Sequence, residues 1–280
     1  MQPGTYHYSN GKTLSLVANI GILSADELLS HKTILITGGS SGIGLAIAKK
    51  CAAHGAKILI TGRNQHKLEM AQKEIGNMCY PICFDVKNIS KHSALIECAA
   101  KKWGFVNCIV HSAGVSLHEG DLLNVSERSW NDQMDTNLKA PFFLTQAWLR
   151  FYYKNNMKDG RILFIASDTS AMGSTIPYGL SKAGIASFVC GLSKHVITKG
   201  IRINAIAPGT TKTVMTDSFT HGEVCRSTTA GKRVLFPEEI AETAVFLLSD
   251  LSTCISGQII GCTEANICFD NSYREHETNP

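Results

Sequence analysis

A tyrosine and a lysine four positions apart, Tyr178 and Lys182, have the clearest chemical potential in this sequence. On a helix, that spacing places both side chains on one side, where they can act on one ligand. A phenol can donate a proton in general acid catalysis, and a nearby cation favours its ionised form. The pair therefore indicates proton transfer, although Tyr-x-x-x-Lys alone is a common spacing by chance.

A glycine-rich turn follows the apolar run Thr33–Thr37 and leads directly into an amphipathic helical pattern. It reads Gly38-Gly39-Ser40-Ser41-Gly42-Ile43-Gly44. Such a strand-to-helix turn lets backbone N–H groups approach a phosphate, and the helix N-terminus adds a partial charge of about +0.5. We expect a dinucleotide pyrophosphate here; a glycine-rich loop without a ligand is the alternative.

The elements that must position these residues alternate between short β-rich runs and longer segments of helical period, which is typical of βαβ units. Seven strands are predicted, at Thr33–Thr37, Lys57–Thr61, Cys79–Phe84, Asn107–His111, Arg161–Ala166, Ile201–Ile206 and Gln258–Gly261. Predicted helices between them include Gly42–His54, Ser90–Trp103 and Pro237–Ser249.

The composition fits one compact domain, since 44% of the 280 residues are hydrophobic and 18% are charged. We assign residues 1–30 to an N-terminal extension, 31–270 to the domain and 271–280 to a flexible C-terminal tail.

Several classes of partner are disfavoured. The 27 basic residues against 23 acidic ones form no basic stripe, so nucleic acid is not expected. The ten cysteines include no Cys-x-x-Cys pair, so no metal site is predicted. The N-terminus lacks the features of a secretory signal and no apolar run approaches 18 residues, so we expect no membrane association and a reducing cytoplasm.

Further motifs follow in an order that resembles the short-chain dehydrogenase/reductase family, in its shorter branch. After Thr-Gly-x-x-x-Gly-x-Gly at Thr37–Gly44 come Ala113-Gly114, then Tyr178-x-x-x-Lys182, then Asn204 to Gly209. The resemblance implies an α/β fold: a single doubly wound Rossmann-type domain with helices on both faces of a seven-stranded parallel sheet. Its strands would run in the order 3-2-1-4-5-6-7, with the cofactor across their carboxyl edge.

By this resemblance, Tyr178 donates the proton, and Lys182 lowers the tyrosine pKa and bonds the nicotinamide ribose. Ser167 would bind the substrate oxygen and Asn137 would complete a proton relay to solvent. Ser167 stands eleven residues before Tyr178, closer than is usual, so Ser170 is an alternative for the serine role. Turn formation is an alternative role for Ser167.

The resemblance also implies a set of cofactor contacts. These are Gly38, Ser40, Ser41, Gly42, Ile43, Gly44, Arg63, Asp85, Val86, Ala113, Gly114, Tyr178, Lys182, Pro208, Gly209, Thr211 and Thr213.

Two segments depart from the family pattern. His111-Ser112 precedes Ala113-Gly114, where the family has two asparagines, and we interpret His111 as a structural residue at a strand end. Gly261 to Asn266 replaces the frequent Val-Asp-Gly-Gly, which puts contacts from the last strand in doubt.

The end of the second predicted strand indicates the cofactor. Gly62 stands where NAD-preferring sites carry an acidic residue, and Arg63 beside it can bind a 2'-phosphate, helped by Ser40 or Ser41. We therefore expect NADP, with NAD possible.

The predicted activity is reduction of a ketone or aldehyde by NADP(H). The alternatives are a catalytically silent dinucleotide sensor and an NAD-dependent alcohol dehydrogenase of the same fold; the glycine spacing disfavours a sugar epimerase. The loop Val214–Lys232 should cover the substrate without selecting its class, whereas Asp168 and Thr169 hint at a polar small molecule.

A homodimer or homotetramer is expected through the helices Ser126–Tyr153 and Pro177–Lys199, which pair in the family. They carry more apolar residues than one sheet face should cover: Phe142, Phe143, Trp148, Phe151, Phe188 and Val189.

Overall fold

The structure, a computed structural model, describes residues 4–7, 13–16, 27–220, 224 and 228–266. Near the N-terminus, β1 (Gly4–His7) and β2 (Thr13–Leu16) pair antiparallel. A second, parallel sheet contains β3 (Thr33–Thr37), β4 (Lys57–Gly62), β5 (Cys79–Cys83), β6 (Cys108–His111), β7 (Gly160–Ile165), β8 (Ile201–Pro208) and β9 (Ile259–Cys262).

The parallel sheet has the strand order β5-β4-β3-β6-β7-β8-β9. Its seven strands therefore follow the predicted order, and the doubly wound fold is confirmed. The order reverses between β3 and β6, which pair in the register Ile36 to Val110 and Thr37 to His111. In open α/β sheets, ligands bind beyond the carboxyl ends of the strands at such a reversal point.

The helices of the described chain lie between these strands. They are α1 (Gly42–Ala53), α2 (Gln65–Ile75), α3 (His92–Trp103), α4 (Glu127–Met134), α5 (Ala140–Lys154), α6 (Pro177–Val196), α7 (Val214–Thr220) and α8 (Pro237–Leu248). None of the helices in the described ranges is long and apolar enough to cross a membrane.

Apolar side chains fill both faces of the sheet because successive residues of a strand point to opposite sides. Ile34 and Ile36 of β3 pack with Ile47 of α1 on one face. Leu35 packs with Trp148 of α5 on the other. The continuous hydrophobic strands of the sequence thus correspond to a sheet covered by helices on both sides.

The strand Thr33–Thr37 has its predicted ends, and the other six strands differ from prediction by at most two residues at an end, since local pattern marks the last paired residue poorly. Residues 27–30 are already packed on the sheet domain: Leu29 is fully buried and its N–H donates to His54 O at 2.9 Å. The predicted C-terminal tail, 271–280, lies outside the described residues.

Candidate active site

A cleft of about 650 Å³ opens at the carboxyl edge of the parallel sheet. All the predicted cofactor contacts line it, from Gly38 on the glycine turn to Thr213 beyond β8. Tyr178, Lys182 and Ser167 line it as well, whereas Asn137 and Ser170 do not. The cleft therefore gathers residues from distant parts of the chain at the point where the strand order reverses.

The glycine turn needs its glycines because the backbone of the β6 loop lies against it. Gly38 has a φ of +68°, and a Cβ there would stand 2.8 Å from Ala113 Cα. Thr37 Oγ1 accepts hydrogen bonds of 3.2 Å from the N–H groups of Ser112 and Ala113. These contacts join the end of β3 to the loop that follows β6, next to the cleft.

The N-terminus of α1 faces the same cleft and can hold a phosphate. Ser41 at its N-cap makes no side-chain cap, and no acidic residue lies in the first turn. Neither the N-cap side chain nor an acidic side chain of the first turn therefore satisfies the first N–H groups and the positive end of the helix dipole. This donor set fits the pyrophosphate of a dinucleotide.

Tyr178 and Lys182 lie in the first two turns of α6, and both line the cleft near the end of β7. Lys182 is buried, and its Nζ donates to Ile165 O at 2.8 Å while lying 5.6 Å from the centre of the Tyr178 ring. Ser167 follows β7, lines the cleft beside Tyr178, and lowers the pKa of that phenol through its side chain. A phenol, a hydroxyl and an ammonium group thus converge on one end of the cleft.

Burial is the main influence on the ionisation of these groups. Burial raises the pKa of Tyr178; the side chain of Ser167 lowers it and the charge of Asp168 raises it. The Lys182 ammonium lies over the ring face of Tyr178 and donates to a backbone carbonyl. Burial lowers the pKa of Lys182 itself to about 8. A neutral phenol is the form that can donate a proton.

The two candidate serines occupy different places. Ser167 is buried in the cleft wall and caps the 3₁₀ turn Asp168–Ala171, accepting from Thr169 N at 3.3 Å. Ser170 lies in that turn and donates to Ser167 O at 2.6 Å. Of these two serines, Ser167 lines the cleft, and its hydroxyl also caps the turn, so its catalytic role stays a prediction.

Asn137 lies in a π-helical turn, Asp135–Lys139, that interrupts the predicted continuous helix between α4 and α5. Its amide accepts from Val115 N and donates to Val115 O, each at 2.8 Å. It also donates to Ser181 Oγ at 3.2 Å. Asn137 therefore ties the β6 loop to α6, and a relay through it stays a prediction.

The opposite end of the cleft is basic. Arg63 and Lys67 both line it and are exposed. A Cβ at Gly62 would stand 3.1 Å from Ser40 Oγ, so a side chain there would crowd this hydroxyl. Asp85 and Val86 form the neighbouring wall. Sequence reasoning missed Lys67, although its place in the first turn of the helix after Arg63 was the available signal.

His111 lies beneath the site and not in it. It is buried, shares a 2.9 Å hydrogen bond with Thr145 Oγ1 and stacks on Phe164 at 4.5 Å between ring centres. Burial lowers its pKa to about 3. These contacts support the structural role that the sequence indicated.

The segment after β9 differs most from the family pattern. Glu264 and Ala265 have φ angles of +47° and +68°, in the left-handed region that favours glycine. Arg233 Nη1 and Nη2 donate to the carboxylate of Glu239 at 2.8 and 2.7 Å, and Arg233 Nε donates to Glu264 Oε1 at 2.9 Å. An ion-pair network thus supports a backbone shape that glycine adopts without strain.

The predicted substrate-covering segment is described only in part. It begins with α7, where Val214, Met215 and Thr216 line the cleft. Residues 221–223 and 225–227, including His221 and Arg226, lie outside the described residues.

Comparison with known proteins agrees with this architecture. The family model described as enoyl-(acyl carrier protein) reductase matches residues 38–263. The chain belongs to the short-chain dehydrogenase/reductase family. The match spans the glycine turn, the Tyr178-Lys182 pair and the last strand, so the predicted family is confirmed.

Short-chain dehydrogenase/reductases of known activity are similar over most of the chain. The 3-oxoacyl-[acyl-carrier-protein] reductase FabG of Chlamydia muridarum is 35% identical over 244 residues, covering 84% of this chain and 97% of that protein. The FabG of Escherichia coli strain K12 is 31% identical over 234 residues, covering 82% of this chain and 94% of that protein.

Solved structures of similar fold also cover most of the chain. A variant of actinorhodin polyketide ketoreductase with NADPH has a TM-score of 0.79 and 26% identity, covering 85% of this chain and 98% of that one. The 3-ketoacyl-(acyl-carrier-protein) reductase of Brucella melitensis complexed with NADH has a TM-score of 0.79 and 26% identity, covering 86% and 99%. This chain is therefore an NAD(P)-dependent oxidoreductase that acts on carbonyl or alcohol groups, as expected.

Proposed function

We propose that the chain reduces a ketone with NADPH, with Tyr178 as proton donor. The observation that carries this proposal is the convergence of Tyr178, Ser167 and Lys182 at one end of a cleft whose other end is basic. Burial raises the pKa of Tyr178, so the phenol holds the proton that reduction must deliver to the carbonyl oxygen.

When bound, the nicotinamide supplies the hydride that adds to the carbonyl carbon. Ser167 holds the carbonyl oxygen, and the Tyr178 hydroxyl gives its proton to that oxygen as negative charge develops, so that an alcohol forms. Lys182, whose ammonium lies beside the ring of Tyr178, would bind the nicotinamide ribose. The Tyr178 phenolate then regains a proton from solvent, which balances the reaction.

NADP rather than NAD is proposed from the basic end of the cleft. Arg63 and Lys67 offer two cations to a 2'-phosphate, with Ser40 close to Gly62 as an additional donor. An acidic residue, which would bind the ribose hydroxyls of NAD, is absent from position 62.

A homodimer or homotetramer is proposed through α4, α5 and α6. Phe142 is 40% exposed and lies 4.8 Å from Phe188 between ring centres, in a shallow groove that Met134, Leu138 and Phe143 also line. Two residues predicted for this surface belong elsewhere: Trp148 and Val189 are fully buried in the chain's own core. A light-scattering mass of 30.4 kDa, that of one chain, would contradict an oligomer.

A reducing cytoplasm is the proposed location. The cysteines of the described ranges are free thiols, among them the buried Cys51 and Cys108, and free thiols persist in a reducing compartment.

The proposed activity is tested by following NADPH oxidation against a panel of ketones and aldehydes. We expect turnover of at least one ketone, with NADPH used better than NADH. Tight NADPH binding without oxidation on any carbonyl would contradict the proposal and favour a cofactor sensor.

A further inference from the structure

Asp168 lies beside the proposed catalytic groups and is not used by the mechanism above. It follows Ser167 directly and forms part of the cleft wall at the end where Tyr178 lies. Its Oδ1 accepts hydrogen bonds from Ser167 Oγ at 2.9 Å and from Thr169 N at 2.8 Å. The carboxylate is thus fixed next to the hydroxyl that should hold the substrate oxygen.

The second carboxylate oxygen is poorly satisfied. From the residues that the structure describes, Oδ2 receives one long hydrogen bond of 3.5 Å, donated by Asn266 Nδ2. An ionised carboxylate offers about four acceptor positions, and fewer are used here. Among the ion pairs of the described ranges, none involves Asp168. The reactive end of the cleft therefore presents a negative charge with acceptor capacity to spare.

The hydrogen bond from Ser167 gives this carboxylate a second effect. While Ser167 donates its one proton to Asp168, it cannot donate to a carbonyl oxygen. A substrate that brings its own donor to Asp168 Oδ1 replaces Ser167 there and lets the serine hydroxyl turn to the carbonyl. Since Oδ1 lies 2.9 Å from Ser167 Oγ, such a donor belongs on the carbon next to the carbonyl or one further.

We propose that Asp168 is a specificity-determining residue, which selects ketones carrying a hydroxyl or an ammonium group beside the reacting carbonyl and rejects those carrying a carboxylate there. This inference rests on the proposed function, because it concerns the same site and reaction. A neutral or positive hydrogen-bond donor satisfies the carboxylate, whereas a second carboxylate brings like charges together.

The test uses small ketones that differ only beside the carbonyl: acetone, hydroxyacetone, methoxyacetone, aminoacetone and pyruvate. Methoxyacetone is the matched control, since it has an oxygen in the same place but no proton to donate. In the wild-type protein, kcat/KM for hydroxyacetone should exceed that for methoxyacetone about 10-fold or more, the size of a charge-assisted hydrogen bond. This comparison does not depend on any variant folding.

Asp168→Asn then separates recognition from turn structure. It keeps the shape of the side chain but removes the charge, so the preference for hydroxyacetone and aminoacetone over methoxyacetone should largely disappear, and pyruvate should improve relative to acetone. Thr175→Ala alters an exposed residue between this turn and α6, outside the cleft, and should leave these ratios unchanged.

The outcomes are distinct. Equal kcat/KM for hydroxyacetone and methoxyacetone, or an Asp168→Asn variant that slows every ketone by the same factor, would overturn this inference and leave the proposed function standing. NADPH binding with no turnover of any carbonyl would overturn the proposed function and this inference with it.

Discussion

Buried ionisable groups have different partners at the two ends of the parallel strands, which we call the amino edge and the carboxyl edge of the sheet. At the amino edge, buried Lys32 and Arg161 both contact Asp159 and Asp250. Burial alone would raise the pKa of Asp159, but the charges of Arg161 and Lys32 lower it overall. At the carboxyl edge, buried Lys182 has a backbone carbonyl as its partner, and its pKa falls to about 8.

This difference separates groups that contribute to stability from groups that are available for function. Buried charges that are paired with opposite charges contribute to the folded structure and have few hydrogen-bonding positions left for a ligand. Although His31, Asp159 and Asp250 could offer ligands to a metal ion, Lys32 and Arg161 already bind the same carboxylates. Buried ionisable groups without opposite charges are typical of binding and catalytic sites.

The largest expected effect is at the carboxyl edge. Lys182→Ala should weaken NADPH binding and lower turnover by about 100-fold or more, because it removes both a cofactor contact and the cation beside Tyr178. Lys194→Ala, an exposed lysine near the end of α6, is the control and should change neither.

The pH dependence sharpens that prediction. Because the pKa of Lys182 is about 8, the lysine is charged below this pH and loses its charge above it, so NADPH affinity should fall as the pH rises through 8. Calorimetric titration of both variants checks this. An unchanged NADPH affinity in Lys182→Ala would contradict the assigned role.

At the amino edge, the expected effect is on stability alone. Lys32→Met should lower the free energy of unfolding by about 1.5–3 kcal/mol, since it removes charged hydrogen bonds from a fully buried ammonium. Turnover of the folded protein should not change. Lys49→Met breaks an exposed pair with Glu74 of 3.2 Å and should cost less than about 1 kcal/mol.

Denaturant unfolding of both lysine variants decides this comparison. Equal losses in Lys32→Met and Lys49→Met would mean that the amino-edge network is no more than a set of surface pairs.

His111 offers an acid-sensitive test below the carboxyl edge. The unfolded chain takes up a proton near pH 6.5, whereas burial lowers the pKa of folded His111 to about 3. Stability should therefore fall as the pH drops below 6.5, by about 2 kcal/mol at pH 5 relative to pH 7. His111→Asn should remove this part of the pH dependence, and the exposed His66→Asn should not. An identical acid loss in wild type and His111→Asn would exclude the explanation.

The smallest expected effect is at the basic end of the cleft. Arg63→Ala should reduce the preference for NADPH over NADH by about 10-fold, since Arg63 is exposed and water screens its charge. Adding Lys67→Ala should remove most of the remaining preference for NADPH. Gly62→Asp should reverse the preference, with the Ser40 side chain rotating away from the new Cβ. Titration with both cofactors measures this; an Arg63→Ala preference equal to that of wild type would contradict it.

Much of the fold follows from local sequence. Alternating apolar runs predicted the strands of the parallel sheet, and the glycine turn predicted where a dinucleotide binds, because both depend on neighbouring residues. Glu264 and Ala265 could not be foreseen in left-handed conformations, since the Arg233 network that supports them joins distant segments.

The sequence predicted which residues line the site better than it predicted their ionisation. The motifs predicted the residues that line the cleft, but not that Lys182 would bond Ile165 O or that burial would raise the pKa of Tyr178. Burial and electrostatic environment depend on the whole packed structure and cannot be read from the spacing of residues along the sequence. For the same reason Trp148 was wrongly predicted to lie at an oligomer surface, whereas it is fully buried.

Tyr178→Phe tests the central claim most directly, because it removes one hydroxyl and leaves the ring that packs beside Lys182. Turnover is measured with a ketone under conditions where deuterated NADPH shows that hydride transfer is rate-limiting, and NADPH affinity is measured alongside. We predict a loss of turnover of about 10²- to 10⁴-fold with NADPH affinity nearly unchanged. A variant that kept more than about a tenth of wild-type turnover would show that Tyr178 is not the proton donor.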